Sequence, residues 1–260
     1  MTSIFLTTWT TTIKASGLNM PLDALHRAKS YPYEIPACSY VVHEDRHKEL
    51  AICALMPDLS GRQPVLAVGS NQSPQQLIRK FQKQNLGPIP VFRARLKEFD
   101  IVYSPHISSY GAIPATLRHS PGTRVTLFVN WLTPEQEERM HETEIPAGNY
   151  FFGKLDDIEL HLEMGQVLTS AFVYCSRRGS LLRESLPVAL AAVEAENRRW
   201  PSLSQEDIQS HLRDVLAPEH TVDSFIHSAV ADNSVRQART EAMMKNSLPF
   251  NYAGFSPIDL

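Results

Sequence analysis

Val65-Leu66-Ala67-Val68-Gly69-Ser70-Asn71-Gln72-Ser73-Pro74-Gln75-Gln76-Leu77-Ile78-Arg79-Lys80-Phe81 is the stretch on which the reading of the fold turns. Four apolar residues bounded by β-branched Val65 and Val68 read as a buried strand. Gly69-Ser70-Asn71 is turn chemistry. Ser73 then suits a helix cap, Pro74 the first helical position, and Gln76 the residue that reaches back to close a capping box. Leu77, Ile78 and Phe81 recur at helical spacing, and Gly87-Pro88 ends the helix. A loop between a strand end and a helix start collects free backbone N–H groups and the positive end of the helix dipole, which together favour an anion. Gly69 admits a ligand close to the backbone, and Ser70 and Asn71 add side-chain donors. Such turns are common, so the loop alone does not name a ligand.

Upstream of this unit, residues 21–28 read as a short helix that Tyr31-Pro32-Tyr33 and Pro36 turn toward extended structure. Residues 39–42 and 50–55 read as two strands around a charged turn, 43–49. The polar connection 57–64, with its Gly and Pro residues, is the expected boundary between an N-terminal extension, residues 1–60, and a core, residues 61–180. Downstream, strands are expected at 91–96, 99–104, 112–117 and 125–131, with Ser120-Pro121-Gly122 as a turn. Thr133-Pro134-Glu135-Gln136 repeats the capping box and opens a helix to about Thr143, after which strands are expected at 150–155 and 167–175. Helices are expected at 187–200, at 204–216 with Ile208, Leu212, Val215 and Leu216 on one face, and at 222–231 behind a Thr221 cap. The fold class that follows is α+β: a barrel-like, strand-dominated core with flanking helices, and a helical C-terminal extension over 181–260.

Composition narrows the function classes. The 260 residues are 43% apolar and 20% charged, which suits a globular protein with an ordinary packed core. Twenty-five basic against 28 acidic side chains leave a formal charge of -3, so there is no overall pull toward nucleic acid or an anionic membrane. Arg177-Arg178 and Arg198-Arg199 are isolated pairs without the interleaved aromatics of a nucleic-acid site. No apolar run approaches the ~20 residues that span a bilayer. Cys38, Cys53 and Cys175 are widely spaced and read as reduced thiols. The leading stretch MTSIFLTTWTTTIKASGLNM lacks the basic and apolar regions of a secretory signal. Its Thr-rich, acid-poor bias is shared with organellar transit peptides, but a loose tail, or a natural start at Met20, is the simpler expectation, and with it a cytoplasmic protein.

Glu144 is the candidate acid–base group. It falls just past the expected helix of 134–143, where the negative dipole end, and burial beside Tyr150 or Trp131, both disfavour a charged carboxylate. Glu135, Glu137, Glu138 and Glu142 surround it, and in such a run most carboxylates form a solvated helix face. His43-Glu44-Asp45-Arg46-His47 literally matches the zinc-protease pattern His-Glu-x-x-His. That chemistry needs the two histidines one helical turn apart, whereas the flanks here read as strands and no third ligand is evident, so no metal is expected. His106, His119 and His161 read as surface or packing residues. A Gly-x-Ser-x-Gly elbow and a phosphate-binding Lys loop are both absent, so neither a serine nucleophile at Ser70 nor a P-loop is expected.

The order of several short motifs resembles the γ-glutamylcyclotransferase family. Val68-Gly69-Ser70-Asn71 is similar to that family's Tyr-Gly-Ser-Asn loop with the tyrosine replaced. Ala94-Arg95-Leu96-Lys97-Glu98-Phe99 resembles the segment after its first helix. Gly111-Ala112-Ile113-Pro114-Ala115-Thr116-Leu117, with Ser120-Pro121-Gly122 and Val125, resembles its Gly-x-Ala-x-Ile and Pro-Gly-x-x-Val pattern. Met140-His141-Glu142-Thr143-Glu144 falls where the family has Leu-Asp-x-x-Glu, and Gly148-Asn149-Tyr150 where a Gly-x-Tyr lines the pocket. The resemblance spans roughly residues 64–176 and departs at Val68, which has no hydroxyl, and at His141, which replaces an acid.

The resemblance implies a γ-glutamylcyclotransferase-like mixed β-barrel and an intramolecular acyl transfer. The α-amine of a γ-glutamyl compound attacks its own side-chain carbonyl, releasing 5-oxoproline and an amine or amino acid. Glu144 is implied as the catalytic acid–base, with Val68, Gly69, Ser70, Asn71 and Tyr150 binding the substrate. Such a reaction calls for orientation rather than a cofactor, so no cofactor is expected, and the partner is a small-molecule γ-glutamyl substrate. The alternative is a non-catalytic small-molecule-binding module on the same fold. Neither the substrate's leaving group nor the oligomeric state can be read from the motifs.

Overall fold

The computed structural model describes residues 22–50, 57–145 and 148–260. The leading segment 1–20, Pro21 of the first expected helix and most of the strand expected at 50–55 lie outside the described residues. Helix α1 (Leu22–Lys29) is followed by β1 (Tyr40–His43) and β2 (Arg46–Glu49). These two strands pair tightly about Glu44-Asp45, with Val42 opposite His47 and His43 opposite Arg46. Directly opposed residues share a face and neighbours alternate, so His43 and His47 lie on opposite faces of a ribbon. The His-Glu-x-x-His pattern is therefore not displayed on a helix.

The pivotal stretch folds as strand, turn and helix: β3 (Gln63–Ala67), a 3₁₀ turn over Ser70–Gln72, then α2 (Pro74–Phe81). The capping box at Ser73 does not form. Ser73 makes no side-chain cap bond, and Gln76 instead accepts from Arg79 Nη1 at 2.6 Å. The amides at the helix start are served by the turn, Gln76 N and Leu77 N both donating to Ser73 O.

The four strands expected between 91 and 131 are two long ones, β4 (Ile89–Tyr103) and β5 (Ala115–Leu132), paired antiparallel along almost their whole length. Ser120-Pro121-Gly122 is not a turn between strands. It sits where the register shifts, opposite Glu98, whose φ of 66° and carboxylate bonds to Gly122 N at 3.2 Å absorb the extra residues. The box at Thr133 does form, opening α3 (Pro134–Glu144) with Gln136 N donating to Thr133 Oγ1 at 3.3 Å and Thr133 N to Gln136 Oε1 at 3.0 Å.

Strands β6 (Tyr150–Leu155), β7 (Leu160–Leu162), β8 (Val167–Leu168) and β9 (Ala171–Ser176) follow. The helix expected at 187–200 is absent. After β10 (Ser180–Arg183) come the short strands β11 (Leu186–Pro187), β12 (Ala189–Leu190), β13 (Ala195–Glu196) and β14 (Ser202–Leu203). Burying Val188, Ala189, Leu190 and Val193 against the sheet overrides the helix propensity of this Ala- and Glu-rich run. The chain then forms α4 (Gln205–Leu216), α5 (Val222–Ala231) and α6 (Asn233–Met244), and returns through β15 (Ser247–Leu248) and β16 (Phe255–Ile258). Helix α6 and the last two strands had no counterpart in the sequence reading. No helix among the described residues is long and apolar enough to cross a membrane.

The main sheet runs β14-β12-β4-β5-β3-β9-β6-β16, with β3 parallel to β9 and β12 parallel to β14. It is open, which corrects the expected barrel: β6 pairs with β16 and β4 with β12, so neither reaches across to close the sheet. Six helices among the described residues flank it, making a mixed α+β fold. Alternation along β3 divides the core: Val65 and Ala67 pack with Leu77, Phe81 and Met140 of α2 and α3, while Leu66 and Val68 pack in the other cluster with Tyr31, Phe225 and Ile226. The end of β3 thereby delivers Gly69-Ser70-Asn71 to a point where both layers meet.

Candidate functional site

A cavity of about 430 Å³ opens at that point. Val68, Gly69, Ser70 and Asn71 line one wall, Glu144 and Lys80 another, and Tyr150 a third, so all the site residues expected from sequence border one space. The 104–114 connection between β4 and β5 covers it with His106 and Tyr110. That connection is tied to the C-terminal helices: Gln209 Nε2 donates to Gly111 O at 3.0 Å, and Ile107 N to Thr240 Oγ1 at 3.3 Å. Gly111, with φ +90°, lets the loop close on α5, where an added Cβ would meet Ile226 at 2.6 Å.

Glu144 is the last residue of α3, and its carboxylate Oε1 accepts from Asn71 Nδ2 at 3.0 Å. Lys80 forms an ion pair with the same oxygen. Glu144 Oε2 has no hydrogen-bond partner among the described residues. The neighbourhood thus differs from the expectation: Glu144 meets an ammonium group, while Trp131 packs on Phe92 and does not line the cavity. Gln72 N and Ser73 N close the turn onto Gly69 O and Ser70 O, whereas the amides of Gly69, Ser70 and Asn71 donate to no backbone carbonyl in the described turns and loops. Asn71 Oδ1 is buried without a partner. The Ser70 amide instead serves the Tyr31 hydroxyl, and all three loop residues line the cavity.

The walls are rich in phenols. Burial pushes the hydroxyls of Tyr31, Tyr110, Tyr150 and Tyr174 well above the ordinary tyrosine range, so each is a neutral group at physiological pH. His106, 3% exposed, is pushed down to about 3 by burial and, secondarily, by the Arg178 charge. Its Nδ1 lies 2.9 Å from Ser104 Oγ, and its ring meets Tyr150 edge-on. Arg178 is held on Asn149 Oδ1 at 3.1 Å and 3.2 Å, and Asn233, Arg236 and Thr240 of α6 complete the far side.

His141, the second departure from the motif, points elsewhere. Its Nδ1 lies 2.7 Å from Tyr174 Oη and its ring packs on Phe152, outside the cavity lining. Sequence reasoning missed Tyr31, Lys80, His106, Arg178 and the α6 residues. Lys80 alone left a trace: it falls one turn after Gln76 and beside Phe81 on the buried side of an amphipathic helix, a place where an unpaired lysine is costly.

No family model matches this chain, and no curated protein matches it. Solved structures similar to it include one described as gamma-glutamyl cyclotransferase. That likeness has 15% identity and a TM-score of 0.36, over 74% of this chain and 92% of the other. An uncharacterized protein from Homo sapiens is similar at 16% identity and TM-score 0.35, over 75% of this chain and 93% of its own. A protein from Arabidopsis thaliana is similar at 15% identity and TM-score 0.35, over 46% and 72%. Likenesses at these scores carry no functional assignment.

Proposed function

We propose that this chain is a γ-glutamylcyclotransferase-like enzyme that cyclises a γ-glutamyl compound to 5-oxoproline and releases an amine or amino acid. The observation that carries the reading is the 3.0 Å bond from Asn71 Nδ2 to Glu144 Oε1, which joins the strand–helix loop to the end of α3 across one cavity. A cavity of about 430 Å³ is of the size that holds a small molecule.

In this proposal the amides of Gly69 and Asn71, with the Ser70 hydroxyl, hold the substrate's carboxylate and stabilise negative charge on the reacting carbonyl. Lys80 and Asn71 fix Glu144 through Oε1 and leave Oε2 for proton transfer. Oε2 takes one proton from the α-ammonium group, the freed amine forms the new C–N bond at the γ-carbonyl, and Glu144 returns that proton to the leaving nitrogen as the old C–N bond breaks; the attacking nitrogen's second surplus proton follows by the same carboxylate, so that the ring keeps one N–H and the amine leaves as an ammonium ion. Electrons and protons balance without a co-reactant. Val68 and Tyr150 shape the pocket around the glutamyl chain, and holding amine and carbonyl together supplies the orientation.

The second reading, a binding module without turnover, is favoured by one observation: the Lys80 ammonium already occupies an oxygen of the proposed base. A panel of γ-glutamyl amino acids, amines and peptides, scored for 5-oxoproline, separates the two. Release from any member supports the enzyme; binding without release supports the module.

A further inference from the structure

The loop Gly69-Ser70-Asn71 carries no tyrosine, yet a phenolic hydroxyl stands directly on it. Tyr31, from the segment after α1, is 5% exposed and lines the cavity. Its oxygen lies where a side chain on Gly69 would be: a Cβ built there falls 2.2 Å from Tyr31 Oη. A close approach, rather than a turn, thus makes residue 69 a glycine. The hydroxyl oxygen accepts from Ala115 N at 2.9 Å, and the Ser70 amide also favours it. With its oxygen occupied as an acceptor, the hydroxyl retains one proton, and no group among the described residues accepts it. The phenol stays protonated, because burial first, and the nearby Glu144 charge as well, push its ionisation far above neutral pH. A buried donor without an acceptor is costly unless a ligand satisfies it.

We infer that the Tyr31 hydroxyl is a ligand-contacting donor of this site, bonding an oxygen of the γ-glutamyl group held on the 69–71 loop, and that residues upstream of the matched core therefore complete the pocket. The inference rests on the proposed function for the identity of the ligand. It assigns Val68, which has no hydroxyl, only a packing role, and gives the α1 segment a functional reason to dock. That docking is specific: Gln209 Nε2 donates to Ala28 O at 3.2 Å, and Arg27 stacks on the Tyr110 ring at 4.4 Å.

The test compares Tyr31→Phe with Tyr103→Phe in the full chain. Tyr103 is also fully buried and makes one backbone hydrogen bond, to Leu203 O at 3.1 Å, but it does not line the cavity. Tyr31→Phe frees the Ala115 and Ser70 amides and Tyr103→Phe the Leu203 carbonyl, so a merely structural role predicts a lower melting midpoint in both and no loss of affinity confined to Tyr31→Phe. Calorimetric titration with γ-glutamylalanine and a γ-glutamyl alkylamine should show Kd raised about ten- to a hundred-fold in Tyr31→Phe, the loss expected for a hydrogen bond to a charged acceptor, with Tyr103→Phe binding like the unaltered chain. Equal Kd in Tyr31→Phe and the unaltered chain, or equal losses in the two variants, overturns the inference. Release of 5-oxoproline is scored separately. Binding without release by the unaltered chain removes the enzyme reading while the two Kd values still judge Tyr31, and no binding of either probe by that chain overturns both.

Discussion

Replacing Glu144 by Gln changes one atom type and tests both the chemistry and the packing around it. The amide oxygen can still accept from Asn71 Nδ2 and from Lys80, so what is lost is charge assistance on two hydrogen bonds and the Coulomb partner of an ammonium group whose side chain is 8% exposed. Truncating one partner of a buried pair costs about 3–5 kcal/mol, but Gln keeps the hydrogen bonds and Glu144 is 17% exposed to the cavity, so about 1–2 kcal/mol is expected. At roughly 2–4 °C per kcal/mol for a domain of this size, the melting midpoint should fall by about 2–8 °C. Turnover should fall by about 100- to 10,000-fold, the contribution of a general acid–base group, while substrate affinity moves little. Lys80→Met in the Gln background should cost less than the sum of the two single changes, because the ammonium group is then no longer orphaned. Glu142→Gln, on the exposed side of α3 and paired with Arg139, is the control that keeps full turnover. Wild-type turnover in Glu144→Gln, or loss of turnover in Glu142→Gln, refutes the assignment. Additive melting shifts for Lys80 and Glu144 refute the account of their pairing.

Gly69→Ala should lower stability by about 1–3 kcal/mol by driving a methyl group into Tyr31 Oη, and Tyr31→Phe in the same chain should recover part of that loss; strictly additive midpoints would show that the two positions do not touch. His106, held near 3 in the fold against about 6.5 when unfolded, binds its proton more readily in the unfolded chain between those pH values. Stability should therefore fall as pH drops from 6.5 toward 3, by up to about 1.4 kcal/mol per pH unit from this residue, and His106→Asn should flatten the slope; an unchanged slope in denaturant titrations rules the residue out as its source. Removing residues 249–260 strips β16 from β6, where Gly153 gives the Phe255 ring room at 2.5 Å from its missing Cβ, so a lower denaturation midpoint and association through the bared β6 edge are expected by light scattering; a monomer with an unchanged midpoint would show that this strand does not protect the sheet.

Local sequence was enough for elements whose signals lie within a few residues of each other. The Thr133 box, the strand–turn–helix of 65–81, and the Ser204- and Thr221-capped helices all formed, because caps and amphipathic spacing act over single turns. The order of motifs also singles out Glu144, Asn71 and Tyr150, which line one cavity. Tertiary structure decided what depends on distant partners. The run 187–200 has helix-forming composition yet lies along the sheet, since β4 offered an edge and Val188, Leu190 and Val193 a place to be buried. The sheet stays open because β16, far along the chain, takes the edge of β6. Lys80 reaches Glu144 across 64 residues and Tyr31 reaches Ala115 across 84; the spacing around Lys80 marks it as buried but names no partner, and nothing near Tyr31 points to Ala115. Propensity and periodicity report only the forces a residue exerts on its sequence neighbours, whereas the ion pair, the closing strand and the hydroxyl on the loop arise from groups that folding alone brings within 3 Å or so.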